Sequence, residues 1–121
     1  MSYRQSFGRW GEQAAIIYLL KNGFKIITQN WRSKYGEIDI IAQNDQCLVF
    51  VEVKTRRGNQ YGYPEDAITL KKRSHLVNSA LDYIEQNHIV NDWRIDIIAI
   101  QKDMNQQIKI EWFQDAIRED K

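Results

Sequence analysis

The residues able to do chemistry fall in one short stretch: Glu37, Asp39, Glu52 and Lys54, set among Ile and Val. Side chains alternate along a strand, so Glu37, Asp39 and Ile41 should share one face. On the following strand Phe50, Glu52 and Lys54 should share another. A two-residue turn at Asn44-Asp45 would pair Gln43 with Gln46, Asp39 with Phe50 and Glu37 with Glu52. Asp39 and Glu52 then become diagonal neighbours on one side of the sheet, with α-carbons roughly 7–8 Å apart. A one-residue change in the turn would send them to opposite faces.

Carboxylates crowded into a half-buried cleft repel one another and are costly to desolvate. A divalent cation removes that conflict, and oxygen donors at this density suit Mg²⁺ or Mn²⁺ rather than zinc. Such an ion polarises a phosphoryl oxygen and acidifies a bound water. Lys54 would orient or help deprotonate the attacking water, or neutralise charge at phosphorus. Asp39, Glu52 and Glu12 are the expected metal ligands, with Glu37 a secondary one. Glu12 precedes Ile16 by four residues in the first expected helix, so it should project from the same side as the apolar stripe.

Each residue also has a plainer reading. Glu52 and Lys54 would make an i, i+2 charged pair on a polar sheet face. Glu37 would cap the hairpin or pair with Lys34, and Glu12 would favour the helix N-terminus. Asp96, inside the apolar run WRIDIIAI, would neutralise Arg94 or serve the site, with nothing to separate the two. His75 and His88 have no ligand-like spacing and are expected to be surface or cap residues.

The elements that must position these groups follow from periodicity and punctuation. A helix is expected over 7–22, stopped by Gly23, with Ile16, Ile17, Leu19 and Leu20 as its apolar stripe. Strands are expected over 24–31, 36–43 and 46–55, the last two as an antiparallel hairpin. A Gly/Tyr/Asn/Pro loop follows. Thr69 should cap a helix reaching about 87, with Leu76, Val77, Ala80, Leu81 and Ile84 on its apolar face. Strands over 93–100 and 107–113, joined by a turn at 103–106, complete an αβββαββ order and a mixed α/β domain spanning 1–121.

The 121 residues, 43% apolar and 27% charged, suit one core with ordinary globular patterning. Cys47 is the sole cysteine, which excludes an intrachain disulfide and Cys-rich zinc sites and points to a core residue in a reducing compartment. No apolar run approaches a membrane span, and the first residues lack the apolar region of a secretory signal; a soluble cytoplasmic protein is expected.

Net charge is only +1, but Arg56, Arg57, Lys71, Lys72 and Arg73 concentrate positive charge around the loop that follows Lys54. Basic residues at the opening of a helix suit phosphate contacts, and Tyr61 and Tyr63 could stack on unpaired bases. A solvated basic face and a packed loop are the alternatives. The four tryptophans, Trp10, Trp31, Trp93 and Trp112, lie on periodic segments and should mostly be core, or a dimer contact where exposed.

Asp39, twelve intervening residues and then Glu52-Val53-Lys54 resemble the PD-(D/E)xK nuclease signature, with Ile38 in place of the proline. In order, GRWGEQAA at 8–15, NWRSKYGEIDIIA at 30–42, VFVEVKTR at 49–56 and WRIDIIAI at 93–100 closely resemble the YraN family of uncharacterised bacterial proteins. That family is similar to archaeal Holliday junction resolvases. The resemblance implies a restriction-endonuclease-like fold, with Glu12, Asp39, Glu52 and Lys54 matching the resolvases' first-helix glutamate, metal-binding aspartate, and ExK glutamate and lysine. It further implies Mg²⁺ dependence and admits a homodimer. The expected activity is metal-dependent cleavage of structured or branched DNA. The alternatives are a non-catalytic nucleic-acid-binding module on the same fold, and a small dimeric interaction protein whose acidic cluster is structural.

Overall fold

The Val- and Phe-rich run after Cys47 makes the central strand of the molecule, covered on both faces and paired on both edges. The computed structural model describes residues 3–58 and 68–118, with side chains from Gln5 onward. Tyr61, Tyr63, Pro64, Glu65 and Asp66 lie outside the described residues. The elements are α1 (Tyr3–Lys21), β1 (Lys25–Ser33), β2 (Gly36–Gln43), β3 (Cys47–Arg57), α2 (Leu70–Gln86), β4 (Asp92–Lys102) and β5 (Ile108–Ile117). This is the expected αβββαββ order, on a five-stranded sheet ordered β1-β2-β3-β4-β5.

All neighbours are antiparallel except β3 and β4, which run parallel from Cys47–Asp92 to Arg57–Lys102. A parallel pair needs a crossover, and α2 lies between these strands in the chain. The result is a mixed five-stranded sheet with a helix on each face.

Alternation along β3 divides the core. Cys47, Val49 and Val51 face α1 and pack with Ala15, Ile16 and Leu19. Leu48 and Phe50 face α2 and pack with Leu76, Ala80 and Tyr83. Cys47 is accordingly a buried free thiol. Trp10 and Trp112 pack against the first cluster, Trp31 and Trp93 against the second, all partly buried. The α1 stripe is narrower than expected: Ile16 and Leu19 are buried, whereas Ile17 and Leu20 are each 53% exposed. A helix resting on a sheet buries one line of residues, and positions one step round the helix miss it. No helix among the described residues is long and apolar enough to cross a membrane.

The β2–β3 hairpin departs from the expected register. Gln43 pairs with Leu48, not Gln46, and Ile40 pairs with Val51. The turn is longer because the Asn44 side chain accepts from the backbone N–H groups of Gln46 and Cys47, at 2.9 Å each. The Asn44 N–H in turn donates to the Cys47 carbonyl at 3.1 Å. Asn readily makes such side-chain-supported turns. The shift is by two residues, an even number, so facing is preserved and Glu52 comes directly across from Asp39 instead of diagonal to it.

Candidate active site

The site begins where β2 and β3 part. Their ladder ends at Ile40–Val51, while β2 stays paired to β1 as far as Gly36 and β3 stays paired to β4 as far as Arg57. The two central strands therefore fork. Asp39 spans the gap: its Oδ2 accepts from the Val53 backbone N–H at 2.8 Å, replacing a main-chain carbonyl in the interrupted ladder.

This local device breaks the simple alternation of β2. Ile38 and Ile41 both pack in the α2-side cluster, while Ile40 packs in the α1-side cluster. Glu37, Asp39 and Ile41 therefore do not share a face, contrary to expectation. The break in alternation falls at Asp39, whose side chain is hydrogen-bonded to the β3 backbone.

Glu52, only 5% exposed, is in hydrogen-bonding contact with Asp39. Two lysines converge on its Oε2: Lys72 Nζ at 3.6 Å and Lys54 Nζ at 3.8 Å. The i, i+2 pairing of Glu52 and Lys54 thus forms, but inside the fork. Burial pushes the Glu52 carboxyl up to about 7, with the Asp39 charge adding to the rise and Lys72 and Lys54 opposing it. Burial also raises Asp39, against the pull of the Val53 N–H and the Lys72 charge. The pair holds a proton near neutrality, a sign of two carboxyls forced together.

Glu12 and Glu37 form a second, adjacent pair. Two acceptors surround the Asn30 amide, and with its nitrogen turned to them it donates to Glu37 Oε1 at 2.8 Å and to Glu12 Oε1 at 3.2 Å. Asn30 takes a left-handed backbone, φ 52°, between the pairs Gln29–Ile40 and Trp31–Ile38, and so lies across from Asp39. Asn tolerates that conformation better than most residues. Burial raises the Glu12 carboxyl, followed by the charges of Asp39 and Glu37, while Asn30 and Arg9 oppose the rise. Glu12 sits well inside α1, not at its N-terminus. Glu37 pairs with Arg32 at 3.4 Å, not with Lys34, whose ammonium lies over the Tyr35 ring. An open cleft of about 650 Å³ adjoins this pair, lined by Gly8, Arg9, Glu12, Asn30, Arg32 and Glu37 among others.

The basic residues scatter. Lys72 belongs to the carboxylate cluster, and Lys71 is exposed beside it. Arg73 Nε donates to the Ile68 carbonyl at 3.3 Å. Arg57 lies over the Phe7 ring of α1, 4.2 Å from its centroid. Alternation puts Arg56 on the Glu52–Lys54 side of β3.

Asp96 has a structural role. It is fully buried and accepts from Arg94 Nε, at 3.0 and 3.1 Å. Trp112 Nε1 at 2.8 Å and the Asp115 N–H at 2.9 Å complete its shell. His75 and His88 take no part in any of these clusters.

Sequence reasoning missed Asn30, Arg32 and the placement of Lys72. The available signal for Asn30 was an Asn in a strand otherwise suited to β structure, where that residue is depleted.

Among the described residues no three His, Cys, Asp or Glu side chains converge closely enough to hold a metal ion as they stand. Asp39 and Glu52 nevertheless offer buried, mutually repelling oxygen donors in contact, which fits a divalent cation that keeps several of its waters.

These features define a mixed α/β protein with an acidic and lysine-bearing cluster at a fork between its central strands. The chain belongs to the uncharacterised protein family UPF0102, whose family model matches residues 11–100. That span contains Glu12, Asn30, Glu37, Asp39, Glu52, Lys54 and Lys72. The chain is 45% identical over 95 residues to a UPF0102 protein of Sulfurihydrogenibium, covering 78% of this chain and 83% of that one. It is 40% identical over 119 residues to one of Rhodococcus opacus, covering 96% and 99%. With one of Flavobacterium psychrophilum it shares 39% identity over 116 residues, covering 96% and 97%. Among solved structures it is similar to Pyrococcus furiosus SfsA in complex with Ca²⁺, with a TM-score of 0.47 and 14% identity. That match covers 95% of this chain, which spans 65% of the other protein's length.

Proposed function

We propose that this protein is a metal-dependent endonuclease that hydrolyses phosphodiester bonds in structured or branched DNA. One observation carries the reading: Asp39 and Glu52 are held in contact in a fork of the sheet, with the ammonium groups of Lys54 and Lys72 within 4 Å of Glu52. A core built only for stability would not keep two carboxyls where burial opposes their ionisation.

Asp39 and Glu52 would hold Mg²⁺ or Mn²⁺, which when bound supplies Lewis acidity at a phosphoryl oxygen and a more acidic water. Asp39 is oriented by the Val53 N–H, which holds its carboxyl beside Glu52. Lys54, on the same strand as Glu52, positions the attacking water or neutralises charge at phosphorus. Glu12 and Glu37, joined by Asn30, add negative charge beside Asp39 that would strengthen cation binding, and Arg9 and Arg32 at the cleft would meet phosphates. Arg56 and Lys71 extend the positive surface toward substrate.

The test is calorimetric titration of Mg²⁺ and Mn²⁺ into the wild type and into Asp39→Ala and Glu52→Ala. The same samples are assayed for cleavage of labelled four-way junction, flap and single-stranded DNA. Metal uptake in the wild type, and loss of both uptake and cleavage in each variant, is expected. Cleavage should fall at least about 100-fold, the scale of losing a group that stabilises the transition state. Uptake without cleavage of any substrate would make the protein a binding module. No uptake by the wild type, with DNA present, would overturn the reading.

A further inference from the structure

We infer that Lys72 is a mobile counter-cation of the acidic pair: it occupies Glu52 in the absence of metal, and is displaced onto a substrate phosphate when the divalent ion binds. The inference rests on the proposed metal site. Three observations lead to it. Lys72 lies closer to Glu52 than Lys54 does, 3.6 against 3.8 Å, and both address the same oxygen, Oε2. A cation shared with Asp39 would take the same carboxylate, so metal and ammonium compete for Glu52.

The second observation concerns anchoring. Lys54 is held on β3, whose backbone is paired to β4 on both sides of it. Lys72 reaches Glu52 from the first turn of α2, across the space between helix and sheet, and its side chain is 41% exposed against 31% for Lys54. An ammonium on a four-carbon stem can swing from one anion to another at little cost.

Third, the turn that carries Lys72 is fixed independently of its side chain. Thr69 caps α2 and accepts from the Lys72 backbone N–H at 3.1 Å. Displacing the ammonium therefore leaves the helix intact. Lys71 next to it is exposed, and no acidic residue occupies the first turn of α2, so the released ammonium joins a surface suited to phosphate.

The consequence has an unusual sign. Lys72→Gln should bind metal more tightly and cleave DNA more slowly. Even at the dielectric constant of water, an ion pair at 3.6 Å that need no longer be broken corresponds to about seven-fold in affinity. Lys71→Gln removes the same charge from the same turn without touching Glu52. It should change metal affinity less than about two-fold, the scale of a screened surface charge.

The experiment is Mg²⁺ calorimetry on the full chain as wild type, Lys72→Gln and Lys71→Gln, with single-turnover cleavage on the same three proteins. Tighter Mg²⁺ binding confined to Lys72→Gln, together with slower cleavage, is the expected result. Metal uptake by the wild type with equal or weaker uptake by Lys72→Gln overturns the exchange and leaves the proposed nuclease standing. Equal tightening in Lys71→Gln also overturns it, since the effect would then be general charge. Absence of Mg²⁺ uptake in all three overturns both readings.

Discussion

Replacing Glu52 with glutamine should make the metal-free protein more stable, and increasingly so as pH rises. The Glu52 carboxyl sits at about 7 in the folded protein, against 4.5 ordinarily. Between those values the folded state binds a proton that the unfolded chain has released, so stability is highest below about 4.5 and is lost as pH climbs through about 7. The full difference corresponds to about 3 kcal/mol. Solvent screening takes little from this, because Glu52 is 5% exposed. Glutamine keeps the shape and can still donate to Asp39, as the protonated acid does. The two ion pairs it gives up involve lysines 31% and 41% exposed, which water can solvate instead. Urea unfolding in chelator from pH 5 to pH 8.5 reads the effect. Wild type and Glu52→Gln should be close at pH 5, with the variant ahead by about 3 kcal/mol at pH 8.5. Saturating Mg²⁺ should then close the gap from the wild-type side, since at 100 times Kd a ligand adds about 2.7 kcal/mol. A difference that does not change with pH, or a variant less stable at pH 8.5, would refute the reasoning, because Glu52 would then be ionised without conflict.

Two further predictions concern the frame around the site. Asp96→Ala strands Arg94, the Trp112 indole N–H and the Asp115 backbone N–H in the sheet, and should cost about 3–5 kcal/mol in denaturant unfolding; a loss under 1 kcal/mol would show that the cluster tolerates water. Gly11→Ala should destabilise by about 1–3 kcal/mol, because its Cβ would collide with the Oγ1 and Cγ2 atoms of Thr55. Adding Thr55→Ala removes both atoms and should recover most of that loss, a non-additivity that a double-mutant cycle would detect.

The element order was legible because strand alternation, the Gly23 stop and the Thr69 cap are local signals. The strands β3, β4 and β5 run two to four residues beyond their expected C-terminal ends, since pairing with a neighbour extends a strand past where its own pattern fades. The hairpin register was off by two residues because the Asn44 side chain, not turn length alone, sets that loop. The Asp39–Glu52 contact survived the error only because two is even. Placing Glu37 on the face of Asp39 failed for a different reason: alternation presumes an unbroken strand, and the pattern slips between Ile38 and Ile40, where Asp39 bonds the β3 backbone. Nor could the run Lys71-Lys72-Arg73 reveal which member meets Glu52. That depends on the phase of α2 against β3, which is a property of packing.

Asp39 and Asp96 are placed alike, since both stand where a ladder is interrupted and both accept a backbone N–H from the neighbouring strand. Asp96 is closed by an arginine and an indole as well, and its charge is met by donors alone. Asp39 receives one N–H and is then set against another carboxyl. The same fold had the means to satisfy an inserted aspartate completely and does so at one end of the sheet. At the fork it places Glu52 opposite, with two lysines that leave the conflict only partly resolved. The residual demand is for positive charge with oxygen affinity. A divalent ion would meet it at the cluster, and on the proposed exchange the lysine it displaces would be left facing the substrate.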